Sequence, residues 1–256
     1  MSGANAADAN AADAGKADRP VRHGPDRLLV DSDAHVFVDD LDLPALDETD
    51  LHHLSRVLRL RPGTSITVSD GQGRWRPARF TGLTHADIDG ETRIEPSVAA
   101  GVTIGFSLLK GDRNELVVQK LTEIGAECIV PMTTQRTIVH WDAARASHQI
   151  SRLRRVAREA AMQSRRVFLP IIEDLTPFER AAVREGAALA VAGSTPLGPE
   201  TTTVLVGPEG GWSPSELGFG MPRVGLGPNI LRAETGSIVA CALLVAFLTG
   251  QVTPAP

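Results

Sequence analysis

Cysteine is scarce in this chain. The 256 residues include only Cys128 and Cys241, too few for a disulfide framework or for a zinc site of their own. Both lie in apolar surroundings and read as buried, reduced thiols, which fits a cytoplasmic protein. Long apolar runs are also missing. The longest, Ile238 to Leu248, is about half of a membrane span, so it reads as a buried helix and no membrane partner is expected. Residues 1–20 are Ala-, Asp-, Asn- and Gly-rich, with no apolar stretch to act as a secretory core. Excess positive charge is lacking too: 26 Lys and Arg stand against 31 Asp and Glu. That excludes a protein that coats nucleic acid indiscriminately, though not one with a local basic face. Absent, finally, are the G-x-x-x-x-G-K-[ST] and G-x-G-x-x-G spacings of phosphate and dinucleotide loops, and no lysine follows Gly211.

What is present is an ordinary globular composition. Hydrophobic residues make up 42% and charged residues 22%, enough for a sizeable core in one or two domains. Residues 1–25 are low-complexity and free of aromatics. They cannot bury enough apolar surface to offset their ordering entropy, so disorder is expected there.

From 26 to 97 the signals are short and β-like. Strands are expected at Leu28–Val30, His35–Val38, Ser65–Ser69, Trp75–Leu83 and within Ala86–Glu95, with Asp70-Gly71-Gln72-Gly73 as a hairpin turn. Leu51, Leu54, Val57 and Leu58 fall at helical spacing, and Arg61-Pro62-Gly63 stops that helix. The result is a small β-barrel-like domain with one short helix. Ser97–Gly101 reads as a linker, after which the period changes. Strands Val102–Leu109, Cys128–Pro131, Val167–Ile172 and Ala188–Ala192 alternate with helices Glu115–Gly125, His148–Gln163 and Pro177–Glu185. Such alternation implies an α/β domain over 98–256, a mostly parallel sheet with helices on both faces. The last helix, Glu234–Thr249, is apolar nearly all round and should be buried against the sheet or a partner subunit.

Two loops in that domain repeat one design. Val204, Leu205 and Val206 run into Gly207-Pro208-Glu209-Gly210-Gly211-Trp212, and Ser213-Pro214 then reads as a helix N-cap followed by its first residue. Val224 and Gly225 lead likewise into Leu226-Gly227-Pro228-Asn229-Ile230-Leu231, then Arg232, Ala233, Glu234 and Thr235. Glycine permits close approach of a ligand to the backbone. Two such loops at the carboxyl ends of strands suggest one crevice, where open α/β sheets bind ligands. Either loop alone reads equally well as an ordinary β-to-α turn.

The charges leave alternatives open. His52 and His53 are adjacent, so on a helix they diverge by about 100° and make poor joint ligands; no metal is expected. Arg56, Arg59 and Arg61 form a basic face that is either solvated surface or a contact for RNA phosphates. The 148–163 helix and its flank carry Arg152, Arg154, Arg155, Arg158, Arg165 and Arg166 with Glu159 the only acid among them. That face is either solvated or turned to an anion such as nucleic acid.

Several stretches, in order, carry a family pattern. They are Lys110-Gly111-Asp112-Arg113 with Gln119 to Gly125; Thr134-Gln135-Arg136-Thr137; Arg155 to Ser164; Leu205 to Ser213; and Leu226 to Thr235. Over Arg27 to Gly250 the chain resembles the ribosomal RNA small subunit methyltransferase E family of the SPOUT superfamily. The 26–97 segment is similar to that family's PUA-like RNA-binding domain. The resemblance implies S-adenosylmethionine as methyl donor, a trefoil knot near the C-terminus and a homodimer. It also implies a 16S rRNA uridine of the small ribosomal subunit as acceptor, methylated at N3 (position 1498 in the usual rRNA numbering). Leu205 to Gly211 and Leu226 to Leu231 then become candidates to hold the cofactor, with Glu209 touching it or only orienting its loop. Arg232 becomes a candidate to stabilise the uridine anion. Glu234 is a candidate general base, or simply an acid favoured in a first helical turn. Arg56, Arg59, Arg61, Lys110, Arg113, Arg136, Arg155, Arg158, Arg165 and Arg166 are the candidate RNA contacts. A SPOUT methyltransferase with another RNA target, or a catalytically silent RNA-binding assembly factor, would carry much the same motifs.

Overall fold

The computed structural model describes residues 26–97, 101–198 and 200–252. The expected disorder of 1–25 and most of the expected linker lie outside them. The first element among the described residues is helix α1 (Arg27–Val30), not the strand expected from Leu28–Val30. The Asp26 carboxylate accepts the Leu28 N–H at 2.9 Å and caps this turn, and only Leu29 is buried, against Trp75 and Val167. Strand β1 (Ala34–Phe37) follows, then α2 (Glu48–His52), which runs on into a π-helical turn at His53–Val57. Strands β2 (Ser65–Ser69) and β3 (Arg74–Phe80) form the expected antiparallel hairpin. Its turn is fixed by Asp70, whose carboxylate accepts the N–H groups of Gln72 and Arg74. Strands β4 (Ala86–Ile88) and β5 (Arg93–Ile94) both pair with β3, completing a sheet ordered β1-β2-β3-β4. Alternate residues of β1, β2 and β3 (Val36, Ile66, Val68, Ala78, Phe80) meet Leu54 in its core.

The second sheet is built from β6 (Thr103–Ser107), β7 (Cys128–Thr133), β8 (Ile171–Ile172), β9 (Thr176–Pro177), β10 (Ala187–Pro196), β11 (Thr203–Val206) and β12 (Arg223–Gly225). Its order is β12-β10-β11-β6-β7-β8, with β9 paired to β7, and every pairing is parallel. Helices cover both faces, as the alternating pattern requires. On one side lie α3 (Arg113–Ile124), α4 (Ala143–Gln163) and α7 (Ala233–Leu248), whose Val117, Leu121, Leu153, Ala240 and Leu244 pack on Ile104 and Phe106. On the other, Phe178 of α5 (Phe178–Ala182) and Trp212, just before α6 (Pro214–Leu217), pack on Met132, Leu189 and Leu205. After the edge strand β12 the chain crosses back so that α7 rests on β6 and β11.

Two further expectations are corrected. Helix α4 starts five residues before His148, because Asp142 caps it by accepting the Arg145 N–H at 2.8 Å. Only Ile171–Ile172 of the expected Val167–Ile172 strand joins the large sheet. Val167 and Leu169 instead bond to the small domain, where Ser69 Oγ donates to the Val167 carbonyl and the Leu169 N–H donates to the Gly71 carbonyl. Helix α7 packs on the sheet as expected, through Ala240, Cys241 and Leu244, while Ala242 is exposed and Leu243, Val245 and Phe247 are half-buried.

Candidate active site

The two Gly-Pro loops meet. They close over the carboxyl ends of β10, β11 and β12 around a cavity of about 820 Å³. Val206, Gly207, Pro208, Glu209, Gly211, Leu226, Gly227, Asn229, Ile230 and Leu231 line it, together with Arg232. Three residues expected there do not. Leu205 alternates to the opposite face of β11, into the cluster of Met132 and Phe178. Gly210 points its carbonyl at Arg136, whose Nη1 donates to it at 3.0 Å. Pro228 is exposed outside the wall. The sequence reading missed Ala190, Val191 and Ala192, which supply one wall. They enter because β10 lies between β11 and β12 in the sheet, and strand order leaves no local mark in a sequence.

The first loop is held by a buried scaffold. Trp212 is 7% exposed, its Nε1 donates to the Ala190 carbonyl at 3.0 Å, and its ring centroid lies 5.4 Å from that of Phe178. Gly207 lies flat on this indole: a Cβ there would fall 2.9 Å from Trp212 Cε2. Ser213 caps α6 reciprocally with Glu216, each side chain accepting the other's backbone N–H. The second oxygen of the buried Glu216 carboxylate accepts the Gln135 N–H at 2.8 Å. That ties the loop to the Thr134–Thr137 turn, where Thr137 Oγ1 is 2.7 Å from Ser107 Oγ and 2.8 Å from Thr134 Oγ1. This motif therefore braces the loop, through Arg136 and Gln135 alike.

Charges gather at one wall of the cavity, where Arg113, Glu209 and Arg232 line it and Glu234 lies behind them, outside the lining. The Arg113 guanidinium, at the start of α3, donates to Glu209 Oε1 and stands 3.6 Å from Glu234 Oε2. The Arg113 hydrogen bond, with its charge, holds Glu209 below the usual carboxylate range, and Lys110 and Arg232 act in the same direction. Reciprocally, Glu209 and then Glu234 raise Arg113. Glu234 is 9% exposed, and its Oε2 has no hydrogen-bond partner among the described residues. Arg232 is the exposed N-cap residue of α7. Asn114, next to Arg113, is buried and bonds both ways to the Leu109 backbone, which fixes the approach to α3.

The candidate RNA contacts divide sharply. Arg56, Arg59, Arg61, Lys110, Arg136 and Arg155 are exposed, and Arg59 sits at φ +54°. Arg158, Arg165 and Arg166 turn inward instead, and this corrects the single-signed face expected of α4. Arg158 donates to both oxygens of the buried Asp50 and to the Phe37 carbonyl. Arg165 donates to the Ser32 carbonyl. Arg166 donates to the carbonyls of Thr122 and Ala126, and burial lowers it to about 10. The first two join α4 to the small domain, and the third joins its end to α3. On the rest of the helix, Arg152 and Arg154 pair with Glu115 and Asp174. Of the two thiols, Cys241 is buried and pushed up to about 12 by that burial. Cys128 is only half-buried, against the expectation, and burial raises it to about 11.

Comparison with known proteins agrees with this architecture. A model of the RNA methyltransferase domain matches residues 96–245, and one of the RNA methyltransferase PUA domain matches 46–89. The ribosomal RNA small subunit methyltransferase E of Mycobacterium bovis is 33% identical over 73% of this chain and 80% of its own length. That of Synechocystis sp. is 33% identical over 79% of this chain and 73% of its own. The solved structure of ribosomal RNA small subunit methyltransferase E from Neisseria gonorrhoeae bound to S-adenosyl methionine is 27% identical. It covers 82% of this chain and 96% of that one at a TM-score of 0.70. The chain belongs to the ribosomal RNA small subunit methyltransferase E family.

Proposed function

We propose that this protein uses S-adenosylmethionine to methylate N3 of one uridine of 16S rRNA in the small ribosomal subunit, the uridine named by the resemblance. The observation that carries the reading is the cavity at the three strand ends, walled by two glycine loops with Arg113 and Arg232, and with Glu234 behind Arg113. The residues fit such a cofactor. Val191, Val206, Leu226 and Ile230 offer an apolar slot. Among the described residues, the backbone N–H groups of Leu226, Ile230 and Leu231 have no backbone acceptor, and so stand available to a base edge.

Bound there, the cofactor supplies an electrophilic methyl group on a sulfonium. The protein's own residues do the rest. Uridine N3 carries a proton at neutral pH, and Glu234, with a free carboxylate oxygen, accepts it as general base. The charge then spreads to the flanking carbonyl oxygens, where the Arg232 guanidinium stabilises it. The loops fix where the acceptor must sit, which supplies rate through placement alone. The base has to leave its stack before N3 is reachable. Arg56, Arg59, Arg61, Arg155, Lys110 and Arg136 form the cationic surface that holds the surrounding RNA.

We assign residues 26–97 to the RNA-binding domain and 98–256 to the catalytic, knotted one. We take the apolar flank of α7 that carries Leu243 and Phe247 as the surface of the homodimer, and the cytoplasm as the site of action. The test is incubation with methyl-labelled S-adenosylmethionine and small subunits lacking the modification, then digestion and mass spectrometry. Label on N3 of a single 16S uridine is expected. Label elsewhere would assign another RNA target, and neither transfer nor cofactor binding would leave a silent RNA-binding factor.

A further inference from the structure

Two glutamates compete for one arginine of the cavity wall, Glu209 beside it in the wall and Glu234 behind it. Arg113 of α3 is hydrogen-bonded to Glu209 in the β11–α6 loop, and the same Nη1 stands 3.6 Å from Glu234 Oε2 on α7. That longer distance is an ion-pair contact without a hydrogen bond, and Glu234 Oε2 is left buried and unpartnered. The other charges near this group are Lys110, from the β6–α3 loop, and Arg232, from the loop before α7, and both act on Glu209. The guanidinium is thus engaged by the more exposed carboxylate, while the buried one keeps a free lone pair.

We propose that Glu209 is a positioning residue for Glu234: by holding Arg113 it keeps Glu234 Oε2 free to take a proton. The inference rests on the reading of Glu234 as general base. A carboxylate that gains a close guanidinium partner loses proton affinity, and a base that loses proton affinity loses driving force for proton transfer. Arg113 needs to shift by less than about 1 Å to reach charge-assisted hydrogen-bond distance of Glu234. Glu209 is what opposes that shift. Losing Glu209 therefore frees Arg113 to engage Glu234, whereas losing Arg113 as well leaves Glu234 with no competing guanidinium from α3.

The experiment is steady-state kinetics of the full-length protein with saturating cofactor and small subunits, read as kcat and KM separately. Glu209→Gln should lower kcat about three- to tenfold with KM for the subunit little changed. Glu209→Asp should keep kcat near wild type, and adding Arg113→Met to Glu209→Gln should recover part of the loss, because no guanidinium is then left to engage Glu234. A Glu209→Gln loss carried by KM, or one that Arg113→Met deepens, would overturn the proposal. Wild-type kcat in Glu234→Gln would instead overturn the general-base reading beneath it.

Discussion

Arg158 and Asp50 are 108 residues apart in the chain, yet the guanidinium grips both carboxylate oxygens at 2.9 and 2.8 Å. The Asp50 side chain is 4% exposed, and the same guanidinium also reaches the Phe37 carbonyl and lies over the Phe37 ring. Helix α4 is therefore clamped onto the small sheet, not tethered to it. Ala161 and Met162 add apolar surface to the same seam.

Breaking that clamp should unfold the joint. Arg158→Ala leaves a buried, unpaired carboxylate, and a loss of about 2–4 kcal/mol is expected in urea unfolding. The exposed Arg155→Ala on the same helix should stay within about 0.5 kcal/mol of wild type. Equal stabilities for the two variants would show that the ion pair is not what holds the seam.

The complementary prediction concerns RNA. Arg155→Ala and Arg61→Ala remove exposed charges, so each should weaken binding to small subunits and reduce the salt slope of log K by about one. Binding that keeps its salt dependence in both would take these two side chains off the RNA surface.

His35 gives the fold a pH dependence. It is 1% exposed, its Nδ1 is 2.8 Å from Thr67 Oγ1, and Nε2 has no partner among the described residues. Burial first, then the Arg165 charge, lowers its pKa from 6.5 to about 3. The folded protein thus holds His35 neutral while the unfolded chain protonates it below about 6.5. This stabilisation is complete above that value and is lost as pH falls toward 3, with a slope of at most about 1.4 kcal/mol per pH unit. His35→Asn keeps a polar group near Thr67 and should flatten the dependence between pH 6.5 and 4. Parallel curves for wild type and variant would remove His35 as its source.

Arg232 separates binding from chemistry. It sits at the cavity wall as the exposed N-cap of α7, where the uridine anion develops in the proposed reaction. Arg232→Ala should retain cofactor affinity by calorimetry and lose about a hundredfold or more in kcat. Near-normal turnover would take it out of the chemistry.

Much of this was legible before any coordinates. The two loops announce themselves because Gly-Pro after an apolar run is local chemistry, and Ser213-Pro214 marks a cap that Glu216 then completes. The parallel sheet follows from alternation. What could not be read was the destination of long side chains. Arg155 and Arg158 look alike in sequence, but three residues turn a helix by about 300°, and that rotation sends one to solvent and the other to Asp50. The short α1 was misread because three apolar residues carry no period, so Asp26 decides. Ala190 and its neighbours entered the site only through strand order.

Gly207 is the position where sequence and site chemistry meet most tightly. A methyl there would lie 2.9, 3.1 and 3.2 Å from three atoms of the Trp212 indole. The indole cannot retreat, since Ala190 accepts its N–H and Phe178 backs its ring. The loop must move, and with it the cavity wall. Gly207→Ala should therefore weaken S-adenosylmethionine at least about tenfold, or 1.4 kcal/mol, beside an overpacking cost of about 1–3 kcal/mol in stability. Trp212→Ala removes the ring atoms that the methyl strikes. In the double variant the loss should be smaller than the sum of the two single losses, the signature of direct contact. Additive losses would mean that the close approach of Gly207 to Trp212 does not set the loop, and that the wall is held by the Glu216 and Arg136 braces alone.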